Sequence, residues 1–297
     1  MGCLTKKLVS LDLIKPPRFV AENVHYETLM GSQAYGVSSD SSDSDVYGFC
    51  IPPRDVVFPH LAGVVPGWDQ NVPTFNDFQQ HHIDLPNERK SYDLTIYSIV
   101  RYFRLCADGN PNMVDSLFTP AHCILFMTPV GQRVREQRKL FLSKKCWHTF
   151  KGYAFAQMSK IRTRTDPKSE ARQKSIKEHG YDVKYAYHLV RLLNEVEQIL
   201  LEGDLDLLRG NDQLKAIRKG DWPLEAVFAH FDERIKTLEK IYPDSNAVPH
   251  GPPEEALKEL LLECLEHHYG SLAKVVERPN REKVMLEKIR QVLDGEL

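Results

Sequence analysis

Two aspartates separated by a single residue, Asp43 and Asp45, are the side chains of this sequence best suited to bind cations. They stand at the start of an apolar stretch, Val46 to Ile51, that predicts a strand, and alternate residues of a strand point to the same side. The two carboxylates can therefore share hard divalent cations, which prefer oxygen ligands. Two such cations about 3.5–4 Å apart can stabilise both the entering and the leaving oxygen of a phosphoryl displacement.

A Gly-Ser pair, Gly31 and Ser32, precedes these aspartates and follows a predicted strand over residues 24–30. A Gly-Ser turn offers backbone N–H groups and a hydroxyl to phosphate oxygens, and glycine lets the backbone approach a ligand closely. A third carboxylate, Asp93, falls in another predicted strand over residues 91–94 and would complete a cation site.

The elements that must position these residues predict an α/β (α+β) chain in two parts. In the first half, after the third predicted strand, Ile96, Ile99, Val100 and Phe103 recur at helical spacing. The intervening residues 54–90 read as a long connection. In the second half, amphipathic helices are predicted at 147–163, 182–202, 222–241, 254–269 and 281–294. We therefore predict a small mixed-sheet lobe over residues 1–142, followed by a mainly α-helical lobe over residues 143–297.

The composition is that of an ordinary globular protein. With a net charge of -2, the 297-residue chain is not expected to coat nucleic acid through bulk electrostatics, although a local basic groove is compatible with it. No apolar run approaches the roughly 20 residues needed to cross a bilayer, and the N-terminus lacks the apolar core of a secretory signal. The six cysteines have no paired spacing, which favours reduced thiols in a cytoplasmic protein.

The Asp-x-Asp element has two other interpretations. An EF-hand loop that begins at Asp43 would need an acidic residue at its twelfth position, where the chain has Arg54, so we reject it. A solvated turn is the plainer alternative, because Ser and Asp are common turn residues. The location between two predicted strands favours a site.

The pattern of an apolar residue, Gly-Ser, and then Asp-x-Asp before an apolar residue resembles the polymerase-β nucleotidyltransferase superfamily. More closely, Gly-Ser-x-Ala-Tyr-Gly at 31–36, Ser-Asp-x-Asp-x-x-Gly at 42–48 and Pro-Pro at 52–53 resemble the predicted nucleotidyltransferases associated with RNA repair. Softer matches extend the resemblance over residues 29–203: Tyr92-Asp93-Leu94, Gly109 to Asn112, Lys151 to Ala154, and Lys184-x-x-x-His188-x-x-Arg191.

This resemblance implies transfer of a nucleoside monophosphate from an NTP such as ATP to a hydroxyl, with release of pyrophosphate and with an RNA end as the acceptor. Asp43, Asp45 and Asp93 would be the catalytic carboxylates. The first two would bind two Mg²⁺ ions, for which Mn²⁺ can substitute, and Asp93 would join the ion that activates the hydroxyl. Gly31 and Ser32 would hold the phosphates. Because the 54–90 connection is long, Asp84 and Asp77 stay open as alternative third ligands.

Further nucleotide contacts implied by the resemblance are Tyr35, Lys184, His188 and Arg191. The last three share one helical face at i, i+4 and i+7, so they form either a phosphate-contacting face or a solvated flank opposite the apolar stripe.

Outside this set, a basic segment is the best candidate for an RNA-binding patch, with a solvated helix end as the alternative. Its leading residues are Lys160, Arg162 and Arg164. Two groups of Cys and His residues have the spacing of zinc ligands. Neither has a second pair to complete the site, so a zinc site is disfavoured at both. They are Cys264 with His267 and His268, and His81 with His82.

Three function hypotheses stay open at this point. The leading one is NMP transfer to RNA; the same chemistry could instead modify a protein hydroxyl or a small molecule. A nucleotide-binding regulatory module without turnover is a third, from a different class. We expect NTP and RNA as partners, no membrane association and no obligate protein partner.

Overall fold

A computed structural model of the chain describes residues 2–38, 44–60, 74–86, 90–163, 170–271, 285–286 and 289–290. The strands among these residues form one mixed sheet in the order β3-β4-β2-β1-β5. They are β1 (Val24–Leu29), β2 (Ser44–Cys50), β3 (Asp77–Asp84), β4 (Ser91–Ser98) and β5 (Ile124–Met127).

Helices make up most of the rest of the described chain. They are α1 (Leu4–Ser10), α2 (Arg18–Glu22), α3 (Arg54–Val57), α4 (Ile99–Ala107), α5 (Pro111–Phe118), α6 (Pro129–Glu136), α7 (Lys145–Thr163), α8 (Glu170–His179), α9 (Val183–Glu202), α10 (Asn211–Lys219), α11 (Leu224–Asp244) and α12 (Glu254–Tyr269). Together with the mixed sheet, they confirm the predicted α+β class.

The register of the sheet brings distant parts of the sequence side by side. β2 runs parallel to β4, and the other neighbouring strands are antiparallel. In the parallel pair, the Cα atom of Asp45 lies opposite that of Asp93. A parallel pair needs a crossover connection, and residues 51–90 supply it.

The two faces of the sheet pack against different parts of the chain. Val46 and Leu94 pack on one face with Leu8 of α1. Phe49 and Tyr97 belong to a larger core, which continues without a break into the helices that follow. Because side chains alternate along a strand, Asp45 and Asp93 lie on the same face as this larger core.

Two predicted elements differ from the structure. Ile96 does not begin a helix, because β4 continues to Ser98, whose hydroxyl caps α4 by accepting from the Arg101 N–H at 3.2 Å. The predicted long connection at 54–90 contains α3 and also β3, which occupies an edge of the sheet. The prediction of an unstructured connection was therefore wrong where these two elements form.

The later helices lie close to their predicted positions, with α12 at 254–269 as predicted. The helix predicted at 281–294 lies mostly outside the described residues. The six cysteines are free, as their spacing predicted, and all six are buried. In the described part of the chain, no helix combines the length and the apolar character required to span a membrane.

α12 packs against the sheet side of the molecule through its last turn. His268 Nδ1 lies 3.0 Å from Nε2 of His25 on β1, and the Tyr269 hydroxyl donates to the Pro52 carbonyl at 2.6 Å. The C-terminal helices therefore complete the core around the sheet.

Candidate active site

The Gly-Ser turn (residues 31–36) connects the end of β1 to the Asp-x-Asp segment and lies against Asp45. Gly31 has a φ of +62°, a left-handed conformation that favours glycine. A methyl group added there would overlap Oδ2 of Asp45. The Met30 N–H donates to the Asp45 carbonyl at 2.7 Å and fixes the two segments together. Glycine at this position therefore permits the turn to approach the carboxylate.

The turn is coiled like the start of a helix. The Tyr35 N–H donates to the Gly31 carbonyl at 3.3 Å, and the Val37 N–H donates to the Ser32 carbonyl at 2.9 Å. Within the described residues, the N–H groups of Ser32, Gln33 and Ala34 donate to no backbone carbonyl. Such leading N–H groups can bind anionic oxygens.

Asp45 and Asp93 face each other across the parallel strands β2 and β4. Neighbouring strands are about 4.8 Å apart, so two directly opposed carboxylates can share a cation. Burial raises the pKa of the hydroxyl of Tyr47, the next residue of β2 on this face, and the charges of Asp45 and Asp93 contribute to that rise. Asp43 lies outside the described residues. The alternative ligands Asp77 and Asp84 lie at the two ends of β3.

Asp93 also contacts β3. Its Oδ1 accepts from the backbone N–H of His82 at 2.8 Å, and its Oδ2 lies 3.2 Å from Nδ1 of His81. The spacing of these two histidines suggested only a disfavoured zinc pair and did not predict this contact. Nothing in the local sequence indicates it, because it depends on the pairing of β3 with β4.

Tyr35 and Arg191 belong to a buried charge cluster behind the turn, together with Asp115 of α5 and Glu195 of α9. The Tyr35 hydroxyl donates to Asp115 Oδ2 at 2.8 Å, and the Arg191 guanidinium lies over the Tyr35 ring at 4.3 Å. Arg191 also forms ion pairs with Asp115 and, at 2.9 Å, with Glu195. The structure thus places Tyr35 and Arg191 in the core, with Arg191 only 4% exposed.

The electrostatics of this cluster are those of one cation among two acids. Burial raises the pKa of Glu195 well above its ordinary value, and the Arg191 charge opposes that rise. Burial also raises the pKa of Asp115, again against the effect of Arg191. The Glu195 partner was visible in the sequence as an i, i+4 pair within the apolar stripe of α9. Asp115 lies on α5, far from Arg191 in the sequence, so this partner could not be recognised from the sequence.

Lys184 and His188 share a face of α9 with Arg191, but the Lys184 side chain is exposed and that of His188 is half-buried. Burial lowers the pKa of His188 well below its ordinary value, and four cations lower it further: Arg191, Lys184, Arg218 and Arg172. Arg218 of α10 donates to the Val37 carbonyl at 2.6 Å, just beyond the turn, and lies 5.2 Å from the Tyr187 ring. Arg218 was not predicted as a site residue. It lies in the half of the chain that was predicted to be helical, but no local pattern sets it apart from other basic residues there.

The hydroxyl of Tyr187 on α9 is affected by the charges of both Arg218 and Asp45. The pKa of Tyr187 is raised chiefly by burial, lowered by Arg218 and Arg191, and raised by Asp45. Among the described residues, neither Lys184 nor Arg218 forms an ion pair with a carboxylate. Lys184 and Arg218, which have no such partner among the described residues, create a positive potential that can accept an anion.

The predicted RNA-binding residues do not lie together. Lys160 lies over the Tyr185 ring at 5.5 Å, where Arg172 also packs at 4.5 Å. Arg162 lies over Phe228 of α11 at 5.1 Å, because residues two apart on a helix face different sides. Arg164 lies outside the described residues.

The described residues contain no group of three or more His, Cys, Asp or Glu side chains arranged to hold a metal ion. The two opposed carboxylates nevertheless have the chemistry that Mg²⁺ and Mn²⁺ prefer, since both ions take oxygen ligands. The residues present therefore fit such ions, with Asp43 as the further carboxylate that strand alternation provides from the sequence.

A mixed sheet with a Gly-Ser turn against strand-borne carboxylates defines a class of protein, the polymerase-β-like nucleotidyltransferases. Residues 9–219 match the model of RlaP, the RNA repair pathway DNA polymerase beta family, and the chain belongs to this family. Membership suggests nucleotidyltransferase activity in RNA repair.

The chain is also similar to a protein of Enterobacteria phage T4, described as an uncharacterized 38.9 kDa protein in the nrdC-mobD intergenic region. The two are 28% identical over 137 residues, which are 45% of this chain and 37% of that protein. The match therefore spans little more than a third of the length of this relative.

Proposed function

We propose that the protein transfers a nucleoside monophosphate from an NTP to a hydroxyl group at an RNA end and releases pyrophosphate. The observation that carries this proposal is the direct opposition of Asp45 and Asp93 on parallel strands, with Gly31 of the Gly-Ser turn against Asp45. Opposed carboxylates beside a turn with available N–H groups are what a metal-bound triphosphate requires.

In this proposal Asp43, Asp45 and Asp93 hold two Mg²⁺ ions, which Mn²⁺ can replace. When bound, the ions neutralise charge on the phosphates and lower the barrier to displacement. The N–H groups of the Gly-Ser turn bind phosphate oxygens, and Ser32 adds its hydroxyl. Lys184 and Arg218 provide the positive potential for the triphosphate, and the neutral ring of His188 can donate a hydrogen bond to it.

The reaction balances without a further reactant. The acceptor oxygen forms a bond to the α-phosphorus while the bond from that phosphorus to the pyrophosphate oxygen breaks. The hydroxyl proton leaves to solvent, and the electron pair of the broken bond departs with pyrophosphate. Asp93 is the carboxylate beside which the acceptor hydroxyl would lie. Positioning and charge stabilisation provide most of the rate in such transfers.

RNA as the acceptor is supported by the family description and by the cations on α7 and α8. Lys160 and Arg172, both packed on Tyr185, are the residues we propose for backbone contacts, with Arg162 and Arg164 as further candidates. The alternative acceptors are a protein hydroxyl and a small molecule.

The test is transfer from labelled NTPs, with Mg²⁺, to separate pools of RNA with defined 3′ ends, protein and small molecules. Asp45→Asn and Asp93→Asn keep the side-chain shape but remove a charge. We expect each to lower kcat/KM at least about 100-fold, because weakening even the surroundings of metal ligands costs up to about that much. Thermal unfolding verifies that each variant is folded.

Asp84→Asn on β3 tests one of the two alternative third ligands, and we expect it to retain near wild-type transfer. Unchanged turnover in folded Asp45→Asn would contradict the proposal. If the protein or the small-molecule pool becomes labelled and the RNA pool does not, the proposed NMP transfer is correct and the proposed acceptor is wrong. NTP binding without pyrophosphate release in any pool would favour a binding module instead.

A further inference from the structure

Strand β3 departs from regular pairing at the point where it passes Asp93. Gln80 pairs with Leu94 and Ile83 with Tyr92, so two residues of β3 oppose the single residue Asp93. These two, His81 and His82, form what we call the β3 bulge. An extra residue in one strand bends it and redirects its groups, and bulges are frequent beside active sites.

The backbone of the bulge is held in an uncommon conformation. His82 has a φ of 55°, in the left-handed region that non-glycine residues rarely adopt. This conformation accompanies a hydrogen bond in which the His82 N–H donates to Asp93 Oδ1 at 2.8 Å, instead of to a strand carbonyl. The local departure from sheet geometry therefore gives a side chain of the site a backbone donor.

The second residue of the bulge contacts the other oxygen of the same carboxylate. Nδ1 of His81 lies 3.2 Å from Asp93 Oδ2, and the His81 side chain is 58% exposed against 26% for Asp93. An ionised carboxylate only accepts hydrogen bonds, so Nδ1 must carry the hydrogen. A carboxylate has about four lone-pair positions, so two donors leave acceptor capacity on both oxygens.

We propose that His81 is a positioning residue that orients Asp93 for cation binding. This inference rests on the proposed function, since it takes Asp93 as a metal ligand. With one donor on each oxygen, the carboxylate cannot rotate freely, and its remaining lone pairs stay available for a cation shared with Asp45. Hydrogen bonds to metal-ligating carboxylates fix their orientation, and losing one typically costs about 10–100-fold in metal affinity or activity.

The experiment compares His81→Ala, His81→Asn and Gln79→Ala in the full chain. Asparagine retains an N–H donor near the position of Nδ1, so His81→Asn is the conservative variant. Gln79 is an exposed residue of the same strand and provides the matched control. The readouts are the Mn²⁺ dissociation constant by electron paramagnetic resonance, the Mg²⁺ dependence of NMP transfer, and the thermal unfolding midpoint.

We expect His81→Ala to raise the Mn²⁺ dissociation constant, and the Mg²⁺ concentration for half-maximal turnover, by about 10-fold or more. The kcat at saturating Mg²⁺ should stay within about threefold, because excess cation restores occupancy. His81→Asn should recover most of the affinity, and Gln79→Ala should match the wild type. A merely structural role would lower the unfolding midpoint without shifting the metal dependence.

Asp93→Asn distinguishes failure of this inference from failure of the proposed site. If Asp93→Asn weakens Mn²⁺ binding and His81→Ala does not, the positioning role is wrong and the proposed function stands. If Asp93→Asn also leaves Mn²⁺ binding unchanged, the proposed site is wrong, and the inference fails with it. Loss of binding in His81→Ala without recovery in His81→Asn would make His81 a direct ligand, which also overturns a positioning role.

Discussion

Replacing Gly31 by alanine tests whether the close approach of the Gly-Ser turn to Asp45 matters for the chemistry. The backbone at Gly31 has a φ of +62°, and a methyl carbon there would overlap Asp45 Oδ2 and lie 3.4 Å from Cγ. The substitution therefore has two effects, backbone strain and displacement of the carboxylate. They can be separated because the first acts on stability and the second on activity.

The magnitudes follow from the geometry. A non-glycine residue in the left-handed region costs about 1–2 kcal/mol, so we expect the free energy of unfolding to fall by about that amount. To regain an ordinary contact with the methyl group, the Asp45 carboxylate must move by about 1 Å, and a misplacement of that size can cost about 100-fold in rate. This corresponds to about 2.7 kcal/mol in activation free energy.

Gly180→Ala is the matched control, because Gly180 has a φ of +80° and a methyl group there meets no described atom within 4 Å. Urea unfolding should show a similar loss for both variants. Initial-rate measurements of NMP transfer should show kcat/KM at least about 100-fold lower for Gly31→Ala and within about twofold of wild type for Gly180→Ala. Wild-type kcat/KM in Gly31→Ala, or an equal loss in Gly180→Ala, would refute the reasoning.

Two further predictions concern buried groups. Tyr35→Phe removes a donor to buried Asp115, so unfolding free energy should fall by about 1–3 kcal/mol and KM for NTP should rise, since Tyr35 belongs to the turn. The control Tyr102→Phe also loses a buried hydroxyl contact, so it should be destabilised, but its KM for NTP should stay at the wild-type value. An equal rise in KM in both variants would contradict a specific role of Tyr35 in the turn. Burial, then the nearby His268, lowers the pKa of His25 from 6.5 to about 4. Between these values the unfolded state binds the extra proton, so stability is complete above pH 6.5 and is lost as the pH falls toward 4, by up to about 3 kcal/mol. In urea unfolding, the free energy of unfolding of His25→Gln should depend less steeply on pH over this window. The exposed control His122→Gln should keep the wild-type slope. A wild-type slope in His25→Gln would contradict the assignment of this pH dependence to His25.

Local sequence patterns predicted those parts of the fold that local forces determine. The β1 strand and the helix α12 lie close to their predicted positions. Asn110 and Thr128 cap α5 and α6, and each is followed by proline, the residue favoured at the first helical position. Asp93 also lies on a strand, as predicted. What the sequence could not show is that this strand runs parallel to β2 with Asp93 opposite Asp45, because register is set by pairing across the sheet.

The elements that sequence reasoning missed have a common physical cause. β3 carries the polar run Gln79-Gln80-His81-His82, which has no apolar alternation, and it forms because β4 offers an edge to pair with. Ile96 lies three residues before Ile99, which is a helical spacing. The same spacing also occurs when a strand ends and a helix begins between the two residues, as it does here. The capping serine at 98 was the local signal for the true start of α4.

The tertiary partners of Arg191 change the interpretation of this residue from a phosphate-binding group to part of the core. Its helical spacing with Lys184 and His188 favoured a shared phosphate-contacting face, yet its side chain lies in the core with Asp115 and Glu195. A buried ion pair is weak support for stability, because apolar residues of similar volume are often at least as stabilising. We expect this cluster to specify geometry instead, because the group it holds is Tyr35 of the turn.

The Gly-Ser turn is therefore held from both sides, by β2 through Asp45 and by the helices through Asp115 and Arg218. Its two anchors on the helical side differ in character. The contact through Asp115 is buried and fixed in the core, whereas Arg218 is partly exposed and donates to the carbonyl of Val37 just beyond the turn. Since the larger hydrophobic core also runs without a break from the sheet into these helices, the geometry of the site depends on the helical half of the chain as much as on the strands that carry the carboxylates.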